Sequence, residues 1–199
     1  EEMRAAIEEA SRAGRRTAAH AMAATGISEA IDAGITSIEH GVFLTEEIVA
    51  HMRRDGTFLV PTLNAPTAIA SGGVAAGIPA FMVRKSEEVL PAHVASFQLA
   101  HRAGVRIAAG ADSGTPLNFH GSLLPELALM VKYGMTPLEA IRSATVTAAE
   151  CLGLGEVIGR VAPGYAADLI AVAGDPAERI EALADLKLVL LNGRVIPVA

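Results

Sequence analysis

The chain has 199 residues, of which 51% are hydrophobic and only 4% aromatic, with no Trp. Its mean hydropathy of +0.40 leaves ample material for a core built from small side chains, which suits helices packed closely on strands in an α/β protein. A net charge of −6 and the lack of any Lys/Arg-rich patch with interleaved aromatics exclude nucleic acid as a partner. The longest uncharged stretch, 57–83, is interrupted by Pro61, Gly72, Gly73 and Pro79, so no membrane span is expected.

Residues 1–13 carry a helical pattern with Met3, Ile7 and Ala10 on one face, stopped by Gly14. The chain thus opens inside an amphipathic helix, and a start within a larger protein is expected. A short strand over 16–20 ends at His20. A helix over 28–33 and the stop Gly34 lead to a second strand ending at His40. Thr45 with Glu46 and Glu47 begins a third helix through Arg54, and 57–63 then reads as a buried parallel strand. A Gly/Ala-rich loop is expected over 65–77, on the side where binding loops lie. One long helix over 79–103, bent near Pro91, precedes a fourth strand over 105–109 and then Asp112. Helices over 123–132 and 137–152 follow, the second capped by Thr136 before Pro137.

From Gly155 the texture changes to short β runs, 168–172 and 186–191, with Asn192-Gly193 as a tight turn before 194–196. Two units are expected, 1–154 and 155–199. The single cysteine, Cys151, excludes an intramolecular disulfide and reads as a buried inert thiol.

The helix-strand rhythm is that of a parallel barrel, whose active sites lie at the C-terminal ends of the strands. His20, His40 and Asp112 each stand at such an end. A lone strand-end histidine is more often a satisfied polar residue than a ligand. Three such residues on one rim instead form the donor set of a borderline divalent cation such as zinc. His51, His93 and His101 fall in helical segments and read as surface or packing residues, Glu39 as structural and pointing away from His40. Asn64 and His120, in the rim loops, are the candidate substrate contacts. Four strands make only half of a barrel that needs eight. Association with a missing half, or with another copy, is therefore expected.

The ordered series Ala18-Ala19-His20-Ala21, Ser37-Ile38-Glu39-His40-Gly41, Val60-Pro61-Thr62-Leu63 and Ala109-Gly110-Ala111-Asp112-Ser113 resembles the amidohydrolase superfamily. So do Met135-Thr136-Pro137-Leu138-Glu139-Ala140-Ile141 and 159–169. The branch it looks like holds Xaa-Pro dipeptidase-like amidases and imidazolonepropionase. The resemblance covers the whole chain and implies the C-terminal half of a TIM-type (β/α)8 barrel, strands five to eight, with part of a small flanking β-sandwich. It implies one or two divalent metals, most simply zinc. His20 and His40 would be the fifth- and sixth-strand ligands, and Asp112 the eighth-strand ligand and proton shuttle. The implied reaction is hydrolysis of an amide or peptide bond in a dipeptide or N-acyl amino acid by metal-activated hydroxide. The family's first-strand His-x-His and fourth-strand carboxylated Lys have no counterpart before His20, so this chain alone is expected to be inactive. The family's deaminases carry Glu three residues after the fifth-strand histidine, where Ala23 stands here. A cyclic-amide hydrolase of the imidazolonepropionase type is the alternative, and a non-catalytic barrel scaffold is the other. Asp168, in the flanking β segment, reads as structural.

Overall fold

The computed structural model describes residues 1–197; Val198 and Ala199, the end of the expected 155–199 unit, lie outside the described residues. In chain order the elements are α1 (Glu2–Arg12), β1 (Ala18–Ala21), α2 (Ala24–Asp32), β2 (Ser37–His40), α3 (Glu46–Asp55), β3 (Phe58–Val60), α4 (Asn64–Gly72), α5 (Ala80–Ala103), α6 (Leu124–Lys132), α7 (Pro137–Ala144), α8 (Val146–Cys151), β4 (Leu169–Val172), β5 (Leu186–Leu191) and β6 (Arg194–Ile196). Among the described residues no helix is long and apolar enough to cross a membrane.

The first sheet is parallel, in the order β1-β2-β3, with Ala19 opposite Ile38 and Ile38 opposite Leu59. The expected fourth strand is reduced to a single parallel bridge between Leu59 and Ile107. Leu59 N–H donates to the Arg106 carbonyl and Ala108 N–H to that of Leu59, both at 2.9 Å. The ladder stops there because Ala109 N–H donates to the Ser143 carbonyl on α7 instead. The second sheet, β4-β5-β6, is antiparallel, and Asn192 and Gly193 both take left-handed backbone at its β5–β6 turn, as a two-residue hairpin demands.

Helix ends follow local chemistry where the sequence offers it. The Thr45 side chain accepts from Ile48 N–H, and Gly56 closes α3 at φ 71°. Thr136 and Glu139 form a reciprocal capping box with Pro137 in the first turn of α7. The expected single helix over 137–152 is broken at Thr145, which leaves the helical region at φ −121° and ψ −90°. The expected bent helix is one continuous α5 of 24 residues with Pro91 inside it.

The expected loop over 65–77 is also a correction, since most of it is α4 and a 3-10 turn at Val74–Ala76. Its N-terminus has no local side-chain cap. The Glu126 carboxylate on α6 supplies the acceptors instead, from 62 residues downstream. Pro66 falls in the first turn, where its missing N–H costs nothing.

The main core lies between the parallel sheet and its helices. Ile27, Ile38, Met52, Leu59, Phe97 and Met130 are among its wholly buried members. It fixes the strands from below and leaves their C-terminal ends at the rim.

Candidate metal and catalytic site

His20 lies in β1 opposite Glu39 of β2, and Ala21 lies opposite His40. Partners in register on parallel strands share a face. Glu39 therefore points to the same side as His20. The sequence expectation that Glu39 faces away from His40 fails because His40 leaves the extended region, at φ 70°, and its ring turns back. His20, Glu39, His40, Val60, Thr62, Gly110 and Asp112 line one open cavity of about 260 Å³. The Glu39 carboxylate accepts from Ser37 Oγ at 2.7 Å. Burial raises its pKa, the Ser37 hydrogen bond opposes, and the charge of Asp112 adds to the rise.

The two imidazoles meet edge to face, with ring centroids 4.5 Å apart and His20 Nδ1 2.8 Å from His40 Nε2. On its far side His40 Nδ1 lies 2.7 Å from Thr62 Oγ1, and the Thr62 hydroxyl donates to the Pro61 carbonyl at 2.7 Å. A hydroxyl has one proton to give. With that proton on Pro61, Thr62 accepts from His40 Nδ1–H, which assigns the tautomer from the network and leaves a lone pair on His40 Nε2. Burial lowers the His40 pKa, assisted by His20 and opposed by Asp112.

His93 supports the same rim from α5. It is 2% exposed, and its Nε2 lies 2.7 Å from the Pro61 carbonyl and 3.1 Å from that of His40. Both partners are acceptors, so Nε2 carries the proton. Its buried Nδ1 has no partner among the described residues. Burial lowers the His93 pKa, against the pull of the two carbonyls. The sequence marks His93 only as a helix histidine; nothing local reveals that it braces the ends of β2 and β3.

Asp112 also stands in the left-handed region, at φ 51°. Its loop closes on Asn118, whose Nδ2 approaches the carbonyls of Ala111 at 2.5 Å and Asp112 at 3.1 Å. Asn118 Oδ1 accepts from Asn64 Nδ2 at 2.8 Å. The Glu126 carboxylate, wholly buried, accepts from Leu63 N–H at 2.9 Å and Asn64 N–H at 2.7 Å. Burial pushes the Glu126 pKa up to about 7, against those two hydrogen bonds. Of the candidate substrate contacts, Asn64 is buried with its amide engaged by Asn118, and His120 is exposed; neither lines the cavity of His20, His40 and Asp112.

The chemistry of the donor set suits a divalent cation: two imidazoles and a carboxylate line one cavity, and the His40 Nε2 lone pair is directed at His20 Nδ1. Two nitrogens on one tetrahedral zinc, each at about 2.0–2.1 Å, stand about 3.3 Å apart. The 2.8 Å separation is instead a hydrogen-bonding one. Among the described residues no three His, Cys, Asp or Glu groups close into a complete cation site. To hold a zinc ion the two rings would have to part by about half an ångström, and further ligands would have to be added.

The amidohydrolase family matches residues 1–196. The chain belongs to the amidohydrolase family. Ochratoxinase of Aspergillus niger is 35% identical over 192 residues, covering 95% of this chain and 39% of that protein. The crystal structure of a Xaa-Pro dipeptidase with methionine bound in its active site superposes with a TM-score of 0.91 at 36% identity, over 98% of this chain and 48% of that one. Imidazolonepropionase of Sphingopyxis alaskensis is 38% identical over 112 residues, 55% of this chain and 27% of that protein. The Xaa-Pro dipeptidase and the imidazolonepropionase are the two kinds of protein named for the branch that the motif series resembles. The chain spans half or less of each of these amidohydrolases.

Proposed function

We propose that the protein carrying this chain hydrolyses an amide or peptide bond of a small substrate, a dipeptide or an N-acyl amino acid. On this reading residues 1–154 are strands five to eight of a (β/α)8 barrel and 155–199 part of its flanking β segment. The remaining strands come from the rest of the polypeptide or, alternatively, from a second copy. The observation that carries the reading is the meeting of His20 Nδ1 and His40 Nε2 across a cavity shared with Asp112, at the C-terminal ends of parallel strands. The long matches to ochratoxinase and to a Xaa-Pro dipeptidase favour it over a cyclic-amide hydrolase, since imidazolonepropionase aligns with little more than half of the chain.

His20, His40 and Asp112 would hold a divalent cation, zinc by donor type, which supplies Lewis acidity toward water and the scissile carbonyl. Asp112 takes the proton of the attacking water on its carboxylate as the new C–O bond forms. It returns that proton to the amine nitrogen as the C–N bond breaks, so acid and amine leave neutralised by one transferred proton. Thr62 holds His40 with Nδ1 protonated, and His93 fixes the two carbonyls beneath the rim.

The test uses the full-length protein, with bound metal measured alongside turnover of Xaa-Pro dipeptides, N-acyl amino acids and a cyclic imidazolone amide. Turnover of the first two that is abolished in Asp112→Asn, with most metal retained, is expected. Full activity in that variant refutes the shuttle role. Turnover of the imidazolone alone replaces this reading with the cyclic-amide one. Metal-free, inactive wild-type protein would leave the scaffold reading.

A further inference from the structure

The loop that carries Asp112 is held by a chain of three buried polar residues, Asn118 within the loop, Asn64 on α4 and Glu126 on α6. Asn118 is 2% exposed, Asn64 9% and Glu126 0%. Buried amides and carboxylates are costly unless each finds its partners, and here every link is made. Glu126 binds the two backbone N–H groups at the start of α4. Asn64, thereby fixed, donates its side-chain amide to Asn118 Oδ1. The two amide protons of Asn118 are shared among the Ala111 and Asp112 carbonyls and Thr115 Oγ1 at 3.2 Å.

The direction of the Asn118 amide is determined by this chain. Reversed, its NH2 would face the Asn64 NH2 and its oxygen would face two carbonyls. The backbone of Asn118 closes the same loop, since Gly114 N–H donates to its carbonyl at 2.9 Å and its own N–H donates to that of Thr115 at 3.0 Å. Asp112 at φ 51° is a conformation that a residue with a side chain adopts at a cost of about 1 kcal/mol or more, and keeps only when its surroundings impose it. The donors on the carbonyls before and at Asp112 are what impose it.

We propose that Asn118 is the positioning residue of Asp112: its amide, oriented by Asn64 and anchored through Glu126 to the start of α4, holds the left-handed turn that presents the Asp112 carboxylate to the cavity. An Asp at 118 has the same shape but gives neither carbonyl a proton. An Ala gives none and leaves a gap.

This inference rests on the catalytic role proposed for Asp112, so the experiment separates the two. In the full-length protein, Asn118→Asp is compared with wild type by zinc affinity, by kcat and KM on a dipeptide, and by hydrogen exchange over 110–121. Expected are a roughly 10–100-fold loss in zinc affinity and in kcat, KM within about twofold, and faster exchange confined to 110–121. A folded variant with unchanged exchange in that segment overturns the proposal. So does altered exchange there with zinc affinity and kcat intact, because the turn would then not serve Asp112. Should Asn118→Asp fail to fold, Asn64→Ala removes only the outer anchor. It must lower kcat in the same direction by a smaller factor, and wild-type kcat with unchanged exchange refutes the idea. If wild type binds zinc but cleaves no amide, the proposed reaction falls, and zinc affinity decides for Asn118. If wild type binds no zinc, the exchange of 110–121 alone decides whether Asn118 holds the turn.

Discussion

Glu126 offers a prediction whose size follows from its surroundings. It is wholly buried, no cation faces it among the described residues, and its two acceptor bonds come from backbone N–H groups. Burial moves its pKa from 4.5 to about 7. At about 1.4 kcal/mol per pH unit this is worth about 3 kcal/mol. The sign is that of a raised acid: between pH 4.5 and 7 the folded state binds the proton that the unfolded state has released. The contribution is therefore fully present below 4.5 and lost as pH rises through 7. Glu126→Gln has no such titration, but its NH2 must face one of the two N–H donors, at a pH-independent cost of about 1–3 kcal/mol. Denaturant unfolding of both full-length proteins at pH 4.5 and pH 8 isolates the effect, because other titrating groups cancel in the difference. The advantage of wild type over the variant should shrink by about 3 kcal/mol toward pH 8. A difference constant with pH to within about 0.5 kcal/mol would refute the account of Glu126 as a carboxyl buried without a counter-charge.

Thr62→Val deletes the acceptor on His40 Nδ1 at nearly constant volume, and zinc affinity by chelator competition should fall about 10–100-fold, with Thr62→Ser restoring most of it. At Gly110 an added Cβ would lie 2.4 Å from Val60 Cγ1 in the cavity wall. Gly110→Ala should therefore cost about 1–3 kcal/mol in denaturant unfolding and reduce turnover. Thr136→Ala removes one half of the α7 capping box, and a loss of about 1 kcal/mol with unchanged kcat/KM is expected.

That His20, His40 and Asp112 share one cavity was legible because each follows a run of β-type residues, and parallel strands gather their C-terminal ends at one rim. Helices α3 and α7 were legible for a comparable reason, since Thr45 and Thr136 announce their caps within three residues. What escaped depends on distant partners. Nothing near Asn64 signals a helix, because its cap lies on α6. Glu126 looks like an ordinary first-turn acid, His93 like a packing residue, and Asn118 like a loop polar group. Their roles exist only as contacts 6 to 63 residues apart in sequence. Asn64 was marked for the right region and the wrong partner: its amide meets Asn118. The orientation of Glu39 was missed because alternation presumes extended backbone, and His40 abandons it.

His40, Thr62 and Asp112 all carry positive φ without being glycine. Glycine at any of the three would relieve about 1 kcal/mol of backbone strain while removing an imidazole, a hydroxyl or a carboxylate from the rim. Selection of this protein for heat resistance alone, with no demand on turnover, would therefore drift toward glycine at these positions first. A library ranked by melting temperature would promote variants that have lost these side chains, so any engineering of this chain has to follow the chemistry of the rim and its stability together.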